Sequence, residues 1–259
     1  MHAGNKARAS MLQLHGTARF VSDVHLREER GDIADRFVQF LNDTARKNIA
    51  ALFILGDLFE YWIGDDDLGH PFNARISSAL RTTVDQGTQL FFIAGNRDFL
   101  IGDAFAAASG LQRLPDPAIV DAENTPILLL HGDTLCTDDR PYQQFRTMVR
   151  ATQWQNDFLA RPLSDRRAEV ETLRRRSAEA MRDKTAAIMD TNPLAVQEAF
   201  TGSACRHLIH GHTHRPGQHT LTLPDGSTAT RWVLSDWDTD RGDALEVDAS
   251  GIRRIDLPG

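Results

Sequence analysis

The chain is poor in thiols, and it has no long apolar run. Only Cys136 and Cys205 occur in 259 residues, without a CxxC pair, so neither a disulfide framework nor a thiolate zinc site is encoded. Both thiols read as buried and inert, which fits a reducing, cytoplasmic compartment. Nowhere do about eighteen apolar residues run together, which excludes a membrane-spanning helix of ordinary length. Residues 1–16 lack the apolar stretch of a secretory leader and read as a flexible N-terminal extension. Positive charge is also short, with 29 Lys and Arg against 36 Asp and Glu and a net charge of −7. That balance speaks against nucleic acid as a partner held by broad electrostatic adhesion. Internal repeats and low-complexity tracts are lacking, so a solenoid is not expected.

What remains is the composition of a folded α/β protein, 41% hydrophobic and 25% charged. Five short apolar runs, at 18–21, 51–55, 90–94, 127–130 and 207–209, have the length of buried strands. Each ends in polar residues: Ser22-Asp23-Val24-His25, Gly56-Asp57, Gly95-Asn96-Arg97-Asp98, His131-Gly132-Asp133 and His210-Gly211-His212-Thr213-His214. Between the early runs, Ile33, Phe37, Phe40, Leu41 and Ala45 follow the helical period, and Ile76, Leu80 and Val84 do so again. Strand, helix, strand implies parallel pairing, and the loops at the carboxyl ends of such strands are where ligands gather. The five motifs are therefore expected to converge. Residues 139–200 turn to helix, with Tyr142, Phe145 and Val149 on one face, and read as an inserted helical lid between core segments 17–138 and 201–259. Beyond 214, runs at 220–223 and 231–234 flank Pro224-Asp225-Gly226, and a further pair lies at 244–247 and 252–257. These hairpins are expected to complete a second sheet.

Asp23 and His25 stand two apart, so on an extended chain both face one cation, and His212 and His214 repeat the spacing. Asp57, Asn96 and His131 add a carboxylate, an amide oxygen and an imidazole. Seven ligands of mixed oxygen and nitrogen type exceed the need of one ion. They suit two, if Asp57 bridges them and each ion keeps open positions for water and substrate. The absence of sulfur points to a catalytic site holding Mn, Fe or Zn. Taken singly, each residue has a plainer explanation as a turn former, helix cap or surface histidine. The order of D-x-H, GD, GN, H and GHTH, each behind a strand, is what carries the reading. His210 reads as a supporting residue, and His70, His207 and His219 are left without a role.

These motifs resemble those of the calcineurin-like metallophosphoesterases, over a match running from Phe20 to about Leu257. The resemblance implies a four-layered α/β fold, a β-sandwich flanked by helices, with a dinuclear site at the strand ends. Longer strings, Gly56-Asp57-Leu58-Phe59-Glu60-Tyr61-Trp62-Ile63-Gly64-Asp65-Asp66 and His131-Gly132-Asp133-Thr134-Leu135-Cys136-Thr137-Asp138-Asp139 among them, are similar to one branch of that family. Its members hydrolyse a UDP-linked diacylated glucosamine lipid during lipid A biosynthesis, on the cytoplasmic face of the inner membrane. The resemblance implies two Mn2+ ions, attack on the α-phosphorus, and release of UMP and 2,3-diacylglucosamine 1-phosphate. It also implies substrate contacts at Asn96, Arg97, Asp139, Tyr142, Ser177, Lys184 and His212. Met181 departs from the pattern, standing where the family commonly has Asn, which puts a polar substrate contact in doubt.

Many metallophosphoesterases have His where this chain has Arg97. A guanidinium clamps phosphate oxygens but does not act as a general acid, which favours a leaving group that departs unaided as an anion. Asn96 and Arg97 are thus the expected catalytic pair, with anhydride cleavage favoured over ester cleavage; Asp98 or a water is the alternative proton source. Within residues 161–184, eight basic and five acidic side chains leave a local +3 and the remainder of the chain −10. That segment, with Trp154, Phe158 and Leu159 nearby, is expected to present an exposed cationic surface to an anionic bilayer and a groove to acyl chains. The rival readings are a metallophosphoesterase acting on a soluble nucleotide or phosphodiester, a nuclease, and a non-catalytic binding module. Oligomeric state is not legible.

Overall fold

The computed structural model describes residues 11–183 and 190–257, with the backbone alone over 176–183. In chain order come β1 (Leu12–Leu14), β2 (Ala18–Val21), α1 (Gly31–Arg46), β3 (Ala51–Ile54), α2 (Pro71–Asp85), β4 (Gln89–Ile93) and α3 (Asp103–Ser109). There follow β5 (Gln112–Leu114), β6 (Ala118–Ala122) and β7 (Thr125–Leu129). Four helices come next, α4 (Arg140–Arg150), α5 (Thr152–Leu159), α6 (Leu163–Asp183) and α7 (Pro193–Ser203). The chain closes with β8 (His207–His210), β9 (Gly217–Thr222), β10 (Thr228–Val233), β11 (Asp243–Asp248) and β12 (Gly251–Asp256).

β2 and β3 are buried at every residue, as parallel strands covered on both faces must be. Because side chains alternate along a strand, Phe20, Phe53 and Phe91 point to one side, where their rings stack at 4.8 Å across neighbouring strands. Val21, Ile54 and Phe92 point to the other side, against α1 and α2. Burying one such ring contributes about 1.5–3 kcal/mol, so this ladder is a main source of stability. The resulting sheet runs β12-β11-β2-β3-β4-β5, and a second runs β1-β6-β7-β8-β10-β9. Phe20, Phe53 and Phe91 meet Val120, Ile127 and Ile209 of the second sheet in a shared core. Leu128 and Leu208 face outward onto Val196 and Phe200 of α7. The layers are helix, sheet, sheet, helix.

Several expectations are corrected here. Leu12–Leu14, assigned from sequence to the flexible extension, forms a strand in register with Val120–Ala122, and Leu14 is buried. Residues 1–10 lie outside the described residues. The two late hairpins do not build one sheet. β9 and β10 extend the second sheet beside β8, whereas β11 and β12 extend the first beside β2. β5 and β6 were not foreseen at all. Among the described residues no helix is long and apolar enough to cross a membrane.

A candidate dinuclear metal centre

Every motif singled out from sequence leaves the carboxyl end of a strand. Asp23 and His25 follow β2, Asp57 follows β3, Asn96 follows β4, His131 follows β7, and His212 and His214 follow β8. β2, β3 and β4 are mutually parallel, as are β7 and β8, so the two sheets deliver these loops to one end of the sandwich. The turns are tight. Asp23, His25, Asp57, His212 and His214 all adopt positive φ between 52° and 67°, a conformation costing non-glycine residues about 1–3 kcal/mol each. Two glycines allow the close approach: a β-carbon at Gly95 would overlap Asp57 Oδ1, and one at Gly211 would overlap Asp23 Oδ2. Asp98, fully buried, ties the loops after β3 and β4 by accepting from Asp57 N at 3.2 Å, Leu58 N at 2.7 Å and Gly95 N at 2.9 Å. Its carboxylate is therefore engaged by the backbone, and burial pushes its pKa above the usual carboxylate range.

The side chains form two groups, Asp23 with His25 and His214, and Asp57 with His131 and His212. Asn96 joins the second, its Oδ1 lying 3.0 Å from His131 Nε2 and 2.9 Å from His212 Nδ1. In the first group His25 Nε2 and His214 Nε2 are 3.3 Å apart, and they lie 3.9 and 3.4 Å from Asp23 Oδ1. Ligand atoms bound about 2.1 Å from a common ion lie roughly 3.0 Å apart when adjacent and up to about 4.2 Å when opposite, so these separations fit a cation at each group. Asp23 Oδ1 is buried with no hydrogen-bond partner among the described residues. An orphaned carboxylate oxygen in the interior is costly, and a bound cation would satisfy it. Both groups fit a divalent ion, and the donor set is oxygen and nitrogen throughout.

The electrostatics agree. Burial pushes the Asp57 carboxyl up to about 7. Burial opposes charge on His131 as well, yet Asp57, Asp133 and Asp23 outweigh it and push the ring up to about 9. His131 Nδ1 donates to Leu55 O at 2.8 Å, which leaves Nε2 to face Asn96 and Asp57. Without an ion, a proton on that nitrogen takes the cation's place. Burial lowers His25 to about 3 and His212 to about 4, keeping both rings neutral. Asp23 is held below the usual carboxylate range because His214, His131 and His25 outweigh its burial.

Beside the second group, Arg97 N donates to Asp57 Oδ1 at 2.8 Å while its side-chain Nε has no partner among the described residues. The Tyr142 ring lies against His212 with centroids 5.7 Å apart, and its hydroxyl donates to Asp133 at 2.6 Å. Asp139 is buried and caps α4 by accepting from Tyr142 N at 3.2 Å. Ser177 and Met181 lie on α6 where only the backbone is described, and Lys184 lies outside the described residues. From Asn96, Arg97 and Tyr142 a cavity of about 330 Å³ runs between the core and α4, α5 and α6. Trp62, Phe99, Phe145, Trp154, Phe158 and Leu173 wall it, Trp154 and Phe158 stacked at 4.9 Å.

Of the eight basic residues expected to form an exposed cationic surface, four are paired, Arg175 is exposed, and Arg176, Arg182 and Lys184 lie where no side chain is described. Arg166 is buried against Asp66 and Ile63 O, while Arg167 pairs with Asp67, Arg161 with Glu169 and Arg174 with Glu60. Sequence reasoning also missed the carboxylates behind the ligands. Glu60 lies 3.5 Å from His25 Nδ1, and Asp236 lies 3.5 Å from His214 Nδ1. Asp133, within the His-Gly-Asp string, anchors both Tyr142 and Arg146. Proximity of Glu60 and Asp133 to the motifs was the available signal, whereas Asp236 had none.

Two carboxylate and imidazole clusters at the converging strand ends of a helix-flanked double sheet are the site of a metallophosphoesterase. The calcineurin-like phosphoesterase family model matches residues 18–216, and the chain belongs to that family. It is 48% identical to UDP-2,3-diacylglucosamine hydrolase of Aromatoleum aromaticum over 86% of this chain and 90% of that one. It is 46% identical to the protein of the same name from Pseudomonas paraeruginosa over 92% of this chain and 98% of that one. Among solved structures, a dimetal phosphatase from Danio rerio shares the fold, with a TM-score of 0.50 at 13% identity, covering 93% of this chain and 98% of that one.

Proposed function

We propose that the protein hydrolyses the pyrophosphate bond of UDP-2,3-diacylglucosamine, giving UMP and 2,3-diacylglucosamine 1-phosphate on the route to lipid A. The observation that carries this reading is the aromatic-walled cavity opening directly on Asn96 and Arg97. A soluble nucleotide has no use for such a wall, whereas acyl chains beside a phosphoanhydride match it. The names of relatives at 46–48% identity support the same reading.

Asp23, His25 and His214 would hold one divalent ion, and His131, His212 and Asn96 the other, with Asp57 shared between them. Mn2+ is the proposed ion. Bound there, two such ions supply positive charge to the phosphate oxygens and acidify water. Arg97 offers its unpartnered donor to the same oxygens and stabilises the charge that grows on them. It has no proton to give, so the sugar 1-phosphate departs as an anion. Tyr142, braced by Asp133, packs beside His212 and borders the cavity where the glucosamine would sit. Asp139 fixes the start of the helix carrying Tyr142; Ser177, Lys184 and Met181 are the proposed contacts farther along the lid, residues 139–200. Contact with the cytoplasmic face of the inner membrane would fall to exposed Met148 and Leu159 on the cavity helices together with exposed Arg175 of α6.

The test is cleavage in oxygen-18 water with Mn2+ and detergent-dispersed substrate. Label in UMP is the expected result; label in the lipid phosphate would move the attack to the other phosphorus, and no UMP release at all would overturn the assignment.

A further inference from the structure

Arg97 is placed well but held loosely. Its main chain is fixed on both sides, N donating to Asp57 Oδ1 at 2.8 Å and O accepting from Trp62 N at 3.0 Å. Its guanidinium has no such restraint. Among the described residues Nε is buried without a partner, and the carboxylate paired with the guanidinium is Glu60, whose Oε1 lies 3.9 Å from Nη1. That same oxygen lies 3.2 Å from Arg174 Nε on α6, and Glu60 Oε2 lies 3.5 Å from His25 Nδ1. Arg174 is seated in turn over the Tyr61 ring at 5.5 Å. Three cationic or ligating groups thus surround one carboxylate that is itself outside both ligand clusters.

A guanidinium beside two divalent ions is repelled by them unless a fixed anion lies close. Glu60 is that anion. At ion-pair distance, without a direct hydrogen bond, it neutralises Arg97 while leaving its donors free for a phosphate. We propose that Glu60 is a positioning residue that holds the Arg97 guanidinium over the site, and that Arg174 of α6 holds Glu60 in place. The insert helix is thereby tied to the chemistry by charge as well as by packing. Arg166 and Arg167, two turns earlier on α6, grip Asp66 and Asp67 of the same loop, so ion pairs join loop and helix at successive points.

This deepens the proposed hydrolysis and rests on it only in that Arg97 must meet a phosphate. The test is therefore a mutant cycle on binding of inorganic phosphate to the Mn2+-loaded protein, read by calorimetry, with kcat and KM on the UDP lipid measured alongside. Glu60→Ala and Arg97→Ala should each weaken phosphate binding about tenfold, and the double variant should fall within about twofold of Arg97→Ala alone. Arg174→Ala should weaken it about threefold, and should add nothing in the Glu60→Ala background. Glu60→Gln, which keeps size and removes charge, carries the same cycle if Glu60→Ala folds poorly. Effects that multiply to about a hundredfold in the Glu60–Arg97 double variant, or phosphate affinity unchanged in Glu60→Ala, would overturn the proposal. Non-additive phosphate binding without turnover of the UDP lipid would keep the positioning role and reject the substrate instead.

Discussion

At the scale of single residues, the centre is defined by what its buried groups lack. Among the described residues Asp23 Oδ1 has no hydrogen-bond partner, and Asp57, Asp133 and Asp23 raise the His131 pKa against its burial. Ion uptake must then expel protons. Below about 9 the His131 proton has to leave, and below about 7 the Asp57 carboxyl must also ionise. Affinity for a divalent ion should therefore rise about tenfold per pH unit from pH 7 to 9, more steeply below 7, and level off above 9. Calorimetry at pH 8 in buffers of different ionisation enthalpy should detect about one proton released; none would contradict this electrostatic picture. Asp57→Ala should remove hydrolysis by at least about a thousandfold, since it deletes a ligand of the centre. Near-normal turnover in that variant would remove Asp57 from the centre.

At the scale of elements, the site depends on how closely the loops approach. Gly95→Ala forces a methyl into Asp57 Oδ1 and the Asp57 backbone nitrogen, so it should weaken ion binding at least about tenfold and lower the melting temperature, as metal titration and thermal circular dichroism would report. Helix α6 depends on Arg166, whose fully buried guanidinium grips Asp66 and Ile63 O. Arg166→Met should loosen that docking by about 1–3 kcal/mol, visible as faster amide exchange in α6 with β2 to β4 unaffected. The strands bearing the ligands were legible because each is a continuous apolar run ending in a reactive motif. The edge strands were not. β1 is three residues with one buried side chain, and β5 is exposed along most of its length, so neither carries a period long enough to read. The late hairpins were found, but their distribution between two sheets was not, because packing across the core decides which neighbour a strand takes. Likewise the net +3 of the insert was visible in sequence, while the pairing of Arg166, Arg167 and Arg174 with Asp66, Asp67 and Glu60 depends on contacts distant along the chain.

At the scale of the whole molecule, two sheets converge their carboxyl ends on one polar centre, and α4, α5 and α6 add an apolar chamber beside it. Under the proposed function, a charged bond would meet the first and hydrocarbon the second. Trp154→Ala, which removes a stacked ring from the chamber wall, should raise KM for an acylated substrate about tenfold and leave kcat near its original value, as steady-state kinetics would show. The central claim is that both regions act on one molecule. The most direct measurement compares UMP release from UDP-2,3-diacylglucosamine and from UDP-glucosamine with cleavage of a simple aryl phosphate, all with Mn2+ in mixed micelles. The account predicts rapid cleavage of the acylated substrate alone; equal cleavage of the aryl phosphate would contradict it, leaving a metal centre without a lipid to read.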